Sequence, residues 1–229
     1  MRSALSSTLN RPAHDGAGGR ELSRTYSMQK RGRAREDTRQ RLMSAAADLI
    51  MEKGSAKITM TAVAGRADVA LRTVYNHFAS VDALLASVMS TINEEFAALA
   101  PAVVDARPRS PEHALRDLVV QWFHELAKHD QRIGALITIR DSVELAHALA
   151  SSRQLRLERL RSVLSMAADC DRLRVPLDEA AAMAYVQTGY QSWVALVRQL
   201  DLSNDEAADL VTRSIAAFSF RRRPYVPRG

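Results

Sequence analysis

Apolar residues recur along this chain at every third or fourth position, which is the spacing of one face of an α-helix. The clearest stripes cover residues 42–50, 81–99, 115–126, 183–197 and 210–218, and weaker helical patterns cover 132–149 and 153–170. We find no run with the two-residue period of a β-strand. The pattern therefore predicts an all-α fold.

Polar residues in front of the apolar stripes predict where the helices begin. Ser, Thr and Asp side chains accept hydrogen bonds from the free N–H groups of a first helical turn. Asp37 with Gln40, and Ser203 with Glu206, have the spacing of a capping box. The other predicted N-caps are Thr59, Ser80, Ser110 (followed by Pro111) and Asp178, and the predicted stops are Gly54 and Pro101.

Residues 59–78 have the pattern of a helix, a tight turn and a second short helix. We expect the helices at 60–67 and 71–78, in the arrangement of a helix-turn-helix that enters a DNA major groove. Base edges are recognised by side chains with donors and acceptors, and flanking groups hold the helix on phosphates. The candidates for base edges are Arg72, Thr73 and Asn76, and those for phosphate or sugar are Thr59, Tyr75 and His77.

The net charge of +6 is concentrated at the N-terminus. Residues 1–41 hold ten Lys or Arg and four acidic residues, whereas the remainder holds equal numbers of each sign. A phosphate backbone would attract such a segment, although a solvating tail without a partner has the same composition. Residues 1–35 also lack apolar periodicity, so we expect them to be a disordered basic arm.

Composition narrows the class of protein further. The single cysteine, Cys170, cannot form an internal disulfide, so we expect a packed thiol and a reducing, cytoplasmic location. No apolar run approaches the roughly 20 residues of a membrane helix, so no membrane partner is expected. The sequence lacks phosphate loops, nucleophile elbows and HExxH motifs. Nothing in it therefore supports an enzymatic activity or a bound cofactor. His124, His129 and His147 lack the spacing of metal ligands, so no metal site is predicted.

Residues 38–85 resemble the TetR family of bacterial transcriptional regulators. The T-x-Y-x-H-F pattern of residues 73–78, followed by a helix capped by Ser80, carries the match. Further matching positions are Ala45, Ala46, Leu49, Gly54, Thr59, Val63, Ala64, Ala67, Val69, Ala83, Leu84 and Leu85. The resemblance implies a three-helix DNA-binding domain, joined by the fourth helix to an all-helical ligand-binding and dimerisation domain. It also implies a non-enzymatic homodimer that binds a palindromic double-stranded DNA operator and usually represses transcription.

The resemblance assigns roles to positions of the helix-turn-helix. Thr59, Tyr75 and His77 correspond to contacts with the DNA backbone. The positions expected to vary with the operator are Leu71, Arg72, Thr73 and Asn76.

Three positions depart from the family pattern. Asp68 stands where relatives often have Gly, Ala70 replaces the usual capping Ser or Thr, and Val81 replaces a Lys that contacts phosphate. We expect Arg39, Arg41 or the N-terminal arm to supply some of the missing attraction to DNA.

The resemblance places a small-molecule effector pocket among helices between about residues 80 and 190, and a dimer interface on the last two helices. Arg140 is the most suggestive pocket residue, because a charge in an apolar stretch needs a partner. Each candidate could equally be plain core. The pocket candidates are Trp122, Phe123, Ile137, Arg140, Met166, Tyr185 and Gln187. The dimer candidates are Tyr190, Trp193, Val197, Leu210, Ile215 and Phe218.

The predicted organisation is an arm at 1–35, a DNA-binding domain at 36–80, a ligand-binding and dimerisation domain at 81–220, and a basic tail at 221–229. Two other functions stay open. One is an architectural or division-linked DNA binder with the same helix-turn-helix and no small-molecule inducer. The other is a helical protein whose degenerate helix-turn-helix no longer recognises DNA.

Overall fold

The computed structural model describes residues 16–53, 58–99 and 110–221, and the helices found there confirm the all-α prediction. In chain order they are α1 (Gly16–Lys53), α2 (Met60–Ala67), α3 (Leu71–His77), α4 (Val81–Ala98), α5 (Pro111–Leu136), α6 (Val143–Asp169), α7 (Leu177–Gln187), α8 (Tyr190–Trp193) with a π-helical segment (Val194–Gln199), and α9 (Asn204–Ser219). Within these ranges no helix is long and apolar enough to cross a membrane. Gly54, Pro101 and the tail beyond Arg221 lie outside them.

The chain divides into two compact units, residues 1–41 and 42–229. In the first unit, the prediction of a disordered arm is wrong for residues 16–35, which are helical. Residues 30–37 are exposed, so this part of the helix shows no apolar stripe. Arg, Glu and Gln favour helix without burial. Asp37 lies inside α1, so no capping box forms with Gln40, which instead donates to Glu36 at 3.0 Å.

In the second unit, α2 and α3 form around a small apolar core. Val63 and Val74 are fully buried and Phe78 nearly so. Thr59 caps α2 by accepting a hydrogen bond from the backbone N–H of Ala62 at 3.1 Å. Asp68 ends α2 in the left-handed region, with φ 53° and ψ 55°. An aspartate tolerates this conformation better than most residues, so the tight turn forms without Gly.

The long helix α4 contacts elements on several sides. It begins at the predicted cap, since Ser80 Oγ accepts from the N–H of Ala83 at 3.0 Å. Thr91 Oγ1 approaches Met43 Sδ of α1 at 3.9 Å, and Asn93 donates to the carbonyl of Ala148 in α6 at 2.9 Å. The main packing pairs beyond it are α5 with α9 and α6 with α7.

Several predicted boundaries of the later helices are wrong. The helical structure is interrupted at residues 137–142, not near 150. Arg140 is therefore exposed and lies outside any helix. Asp178 lies in the first turn of α7 and Pro176 takes the N-cap position without a side-chain bond. A single helix expected over 183–197 is interrupted at Thr188 and Gly189. Cys170 is exposed at the end of α6, so the packed thiol is also a wrong prediction.

A polar cluster is embedded between α4 and α5. His129 is almost fully buried, with Nε2 at 3.2 Å from Glu95 and 3.5 Å from Glu125. The Lys128 ammonium donates to Glu95 and lies 3.6 Å from Glu125. Burial lowers the pKa of His129 and outweighs the two carboxylates, which act in the opposite direction. His129 is therefore held neutral at physiological pH.

The start of α3 carries no side-chain cap, because Ala70 stands at the N-cap with φ −65° and ψ 144°. This extended conformation suits a serine, whose hydroxyl would accept from the free N–H groups of the first turn. We predict that Ala70→Ser raises the free energy of unfolding by about 0.5–1 kcal/mol. Urea unfolding checks this, with Ala182→Ser on the exposed face of α7 as the matched control. Equal effects of the two substitutions would contradict it.

His129 makes stability depend on pH. In the unfolded chain His129 has a pKa of about 6.5, whereas its pKa in the folded state is lower. Below pH 6.5 the unfolded chain therefore binds a proton more readily than the folded one, and the free energy of unfolding falls. The slope for one proton is at most about 1.4 kcal/mol per pH unit. We predict that His129→Gln flattens this loss between pH 7 and 5.5 in chemical unfolding. His124→Gln, at an exposed histidine 3.0 Å from Asp205, should keep the wild-type slope. Identical slopes for all three proteins would refute the assignment.

Candidate functional site

Helix α3 presents one buried face and one polar, outward face. Val74 is completely buried and anchors the helix. On the opposite side Tyr75 is 54% exposed and Leu71 is 40% exposed. Arg72 and Asn76 are also exposed, while Thr73 and His77 are half-buried.

This face has the chemistry that duplex DNA requires. Arg72 and Asn76 can bond to base edges, and Tyr75 carries a hydroxyl suited to phosphate. Thr59, at the exposed start of α2, uses its oxygen as an acceptor for Ala62, which leaves the hydroxyl proton free to donate. The structure places these predicted residues on α3 and at the start of α2, as the sequence pattern requires. Their contacts with DNA stay predictions. Arg39 lies in the first unit, and its role likewise stays a prediction.

A second feature is a cavity of about 260 Å³ among α4, α5, α6 and the α7–α8 junction. Its apolar wall includes Phe96 and Trp122, whose ring centroids lie 4.5 Å apart. Ser152, Gln191 and Ser192 add polar groups. A mostly apolar cavity with a few polar groups is typical of a small-molecule site.

The cavity contains three of the seven predicted pocket residues, which are Trp122, Ile137 and Tyr185. The other four candidates lie outside this lining. Phe123 is fully buried core, and Arg140 is exposed because α5 ends before it. Met166 and Gln187 also lie outside the cavity lining.

The sequence reasoning missed Arg156, which lines the cavity with its guanidinium 4.1 Å from the centre of the Tyr185 ring. The signal was available. Arg156 precedes Leu160 by four positions and Val163 by seven, so a cation occupies the apolar stripe of α6. Leu160 and Val163 are both buried.

Two predicted dimer residues belong to the interior of the chain itself. Trp193 is 2% exposed and Ile215 is 0% exposed, so neither can contact a partner. Tyr190 faces inward too, since its hydroxyl donates to Asp130 Oδ1 at 2.7 Å. A Cβ added at Gly134 would lie 2.6 Å from that hydroxyl. The predictions for Trp193 and Ile215 are wrong because these side chains are core, whereas the half-buried Tyr190 stays a prediction.

The other three dimer candidates are partly accessible. Leu210 is 42% exposed, and Val197 and Phe218 are half-buried. Their place in an interface stays a prediction.

Three potential metal ligands also come together. One ligand atom from each of Glu95, Glu125 and His129 lies within 4.8 Å of the others. Histidine spacing alone missed this set, because Glu95 comes from α4. The Lys128 ammonium contacts Glu95 and supplies positive charge to both carboxylates. The lysine thus balances the negative charge that a metal ion would otherwise balance, so we assign no metal here.

Comparison with known proteins bears on the helix-turn-helix directly. Residues 42–88 match the family model described as bacterial regulatory proteins, tetR family. That span includes α2, α3 and the start of α4. No curated protein matches the chain.

Solved structures share the fold over most of the chain. The SmeT–triclosan complex has a TM-score of 0.68 at 22% identity and covers 83% of this chain and 95% of SmeT. NalD of Pseudomonas aeruginosa has a TM-score of 0.65 at 19% identity, with 82% and 98% covered. The flavonoid-responsive regulator FrrA has a TM-score of 0.63 at 23% identity, with 82% and 100% covered. These identities show a common fold.

The match over the helix-turn-helix and the fold agree: residues 42–88 belong to the TetR family of bacterial regulatory proteins, and the chain shares its fold with solved regulators over most of its length.

Proposed function

We propose that this regulator is a homodimeric repressor that binds a palindromic operator through α3 and is released when a small organic molecule enters the cavity. One observation carries the proposal. Met89 and Phe96 of α4 line the cavity, and the same helix begins at Val81, just after α3. A ligand that shifts α4 would therefore move the recognition helix.

The known roles of three proteins with similar structures support this proposal. SmeT is a repressor of the Stenotrophomonas maltophilia multidrug efflux pump SmeDEF and forms a complex with triclosan. NalD is the secondary repressor of the MexAB-OprM multidrug efflux pump. FrrA responds to flavonoids. Each is a regulator, and two of them, SmeT and FrrA, are connected with small organic molecules.

An exposed apolar surface supports the homodimer. Met183 and Val186 of α7 are 38% and 65% exposed, and Leu210 of α9 is 42% exposed. Exposed apolar side chains on neighbouring helices favour burial against a partner. A two-fold dimer would present two copies of α3 to half-sites about 34–36 Å apart.

Selection of bound fragments from the source genome tests the proposal. We expect full-length protein at near-physiological salt to recover a palindromic site close to its own gene. Many dispersed sites would instead favour an architectural DNA binder without an inducer. Recovery of only non-specific, salt-sensitive DNA would contradict the proposed operator recognition.

Substitutions on α3 separate recognition of bases from attachment to phosphate. We predict that Asn76→Ala weakens operator binding by about 1–3 kcal/mol and relaxes preference at one base position. Tyr75→Phe removes only a hydroxyl and should weaken binding to all duplexes to the same degree. Fluorescence anisotropy with operator and scrambled duplexes measures both effects. Arg213→Ala, on the exposed side of α9, is the control and should bind like wild type. Unchanged operator preference in Asn76→Ala would refute its role.

A further inference from the structure

We propose that the cavity takes an amphipathic organic anion, with Arg156 as the partner of its negative charge. This inference names the chemical class of the effector, and its consequence for transcription rests on the proposed function. The binding itself can be measured without DNA.

Arg156 is a half-buried cation without an acidic partner. Among the residues that the structure describes, no carboxylate lies within 4.0 Å of its guanidinium. Its Nε has almost no solvent contact and no hydrogen-bond partner. Burial lowers the pKa of Arg156, and the nearby charge of Arg153 acts in the same direction. An arginine nevertheless stays protonated at neutral pH, so the charge remains and needs an anion.

Two other half-buried arginines of this protein form ion pairs with its own acidic residues. Arg172 pairs with Glu112 at 2.5 Å, and Arg116 pairs with Asp209 at 2.6 Å. On α6 itself, Arg161 pairs with Asp178 at 2.7 Å. Arg156 differs from these three arginines, because it lines the cavity and pairs with no acid among the described residues.

The charge of the whole cavity has one sign. Its lining includes Arg153 and Arg156 and no aspartate or glutamate. The Tyr185 ring lies against the Arg156 guanidinium, with 4.1 Å between the guanidinium carbon and the ring centre. The interruption of the helix at Gly189 leaves room beside it, since a Cβ there would be 3.7 Å from Nη2. A planar, oriented guanidinium is well suited to a carboxylate, which it can bind through two parallel hydrogen bonds.

The rest of the cavity fits an apolar body. Trp122 and Phe96 form an aromatic wall, and Leu126, Ile133 and Leu149 continue it. A ligand with a ring system at this wall and an acidic group at Arg156 would satisfy both halves of the site. A cationic ligand would meet two like charges, and a neutral one would leave the buried guanidinium unpaired.

Three probes of one shape test the charge preference. We would titrate 1-naphthoate, 1-naphthalenemethanol and 1-naphthylmethylammonium into the full-length protein by isothermal titration calorimetry. The expected result is that the anion binds wild type at least about 10-fold more tightly than the alcohol, with the cation weakest, because hydrogen bonds to charged groups are the stronger ones. Equal affinities, or no binding of 1-naphthoate up to millimolar concentration, would overturn the proposal.

Substitutions assign the preference to Arg156. Arg156→Met should lower the affinity for 1-naphthoate by about 10–100-fold, to that of the alcohol. Arg161→Met, on the same helix and outside the cavity lining, should retain the preference. Arg156→Lys keeps the charge without the planar fork and should show an intermediate value, which covers the case of a poorly folded Met variant. An anion preference that survives in a folded Arg156→Met protein would overturn the assignment.

Operator binding without any probe distinguishes this inference from the proposed function. Loss of the anion preference with intact operator binding would refute only the ligand class. Anion binding by a protein without sequence-specific DNA binding would refute only the repressor proposal.

Discussion

Burial of one face of α4 is the constraint on which the rest of this structure depends. Leu84, Leu85 and Ile92 are at most 2% exposed, and each such side chain contributes roughly 1.5–3 kcal/mol on burial. The same helix meets α1 through Thr91, α6 through Asn93 and α5 through Phe96. It thus belongs at once to the core beneath the helix-turn-helix and to the wall of the cavity. The proposed response to a ligand would therefore require this packed helix to move as a unit.

The parts of the fold that the sequence predicted well depend on local interactions. A cap such as Ser80 acts on a residue three positions away, and Ser203 with Glu206 forms the complete capping box that its spacing predicts. Longer-range features were not predictable in this way. Residues 30–37 of α1 are exposed and show no apolar stripe, and no Pro or Gly marks the break at residues 137–142. The same distinction applies to the candidate site. The polar face of α3 comes from one short segment, whereas the cavity lies among α4, α5, α6 and the α7–α8 junction.

Two buried basic groups illustrate how differently one fold can treat a charge. His129 is neutral, because burial lowers its pKa. The adjacent Lys128 supplies the positive charge near Glu95 and Glu125. Arg156 stays protonated at neutral pH, and within the described ranges no acid pairs with it. Phe96 contacts both regions, as its ring lies 6.4 Å from His129 and 4.5 Å from Trp122. The self-contained cluster and the open cavity are therefore neighbours along α4.

The close approach of Gly134 to Tyr190 couples two positions that are far apart in the sequence. A methyl group at position 134 would require the Tyr190 hydroxyl to move, and with it the bond to Asp130 and the edge of the cavity. In descendants of this protein, Ala at 134 is compatible with Phe at 190, whereas Tyr at 190 would have to shift its hydroxyl to accommodate Ala at 134. The two sites should therefore change together over evolutionary time, and divergence at this pair would alter the cavity without any substitution in its apolar wall.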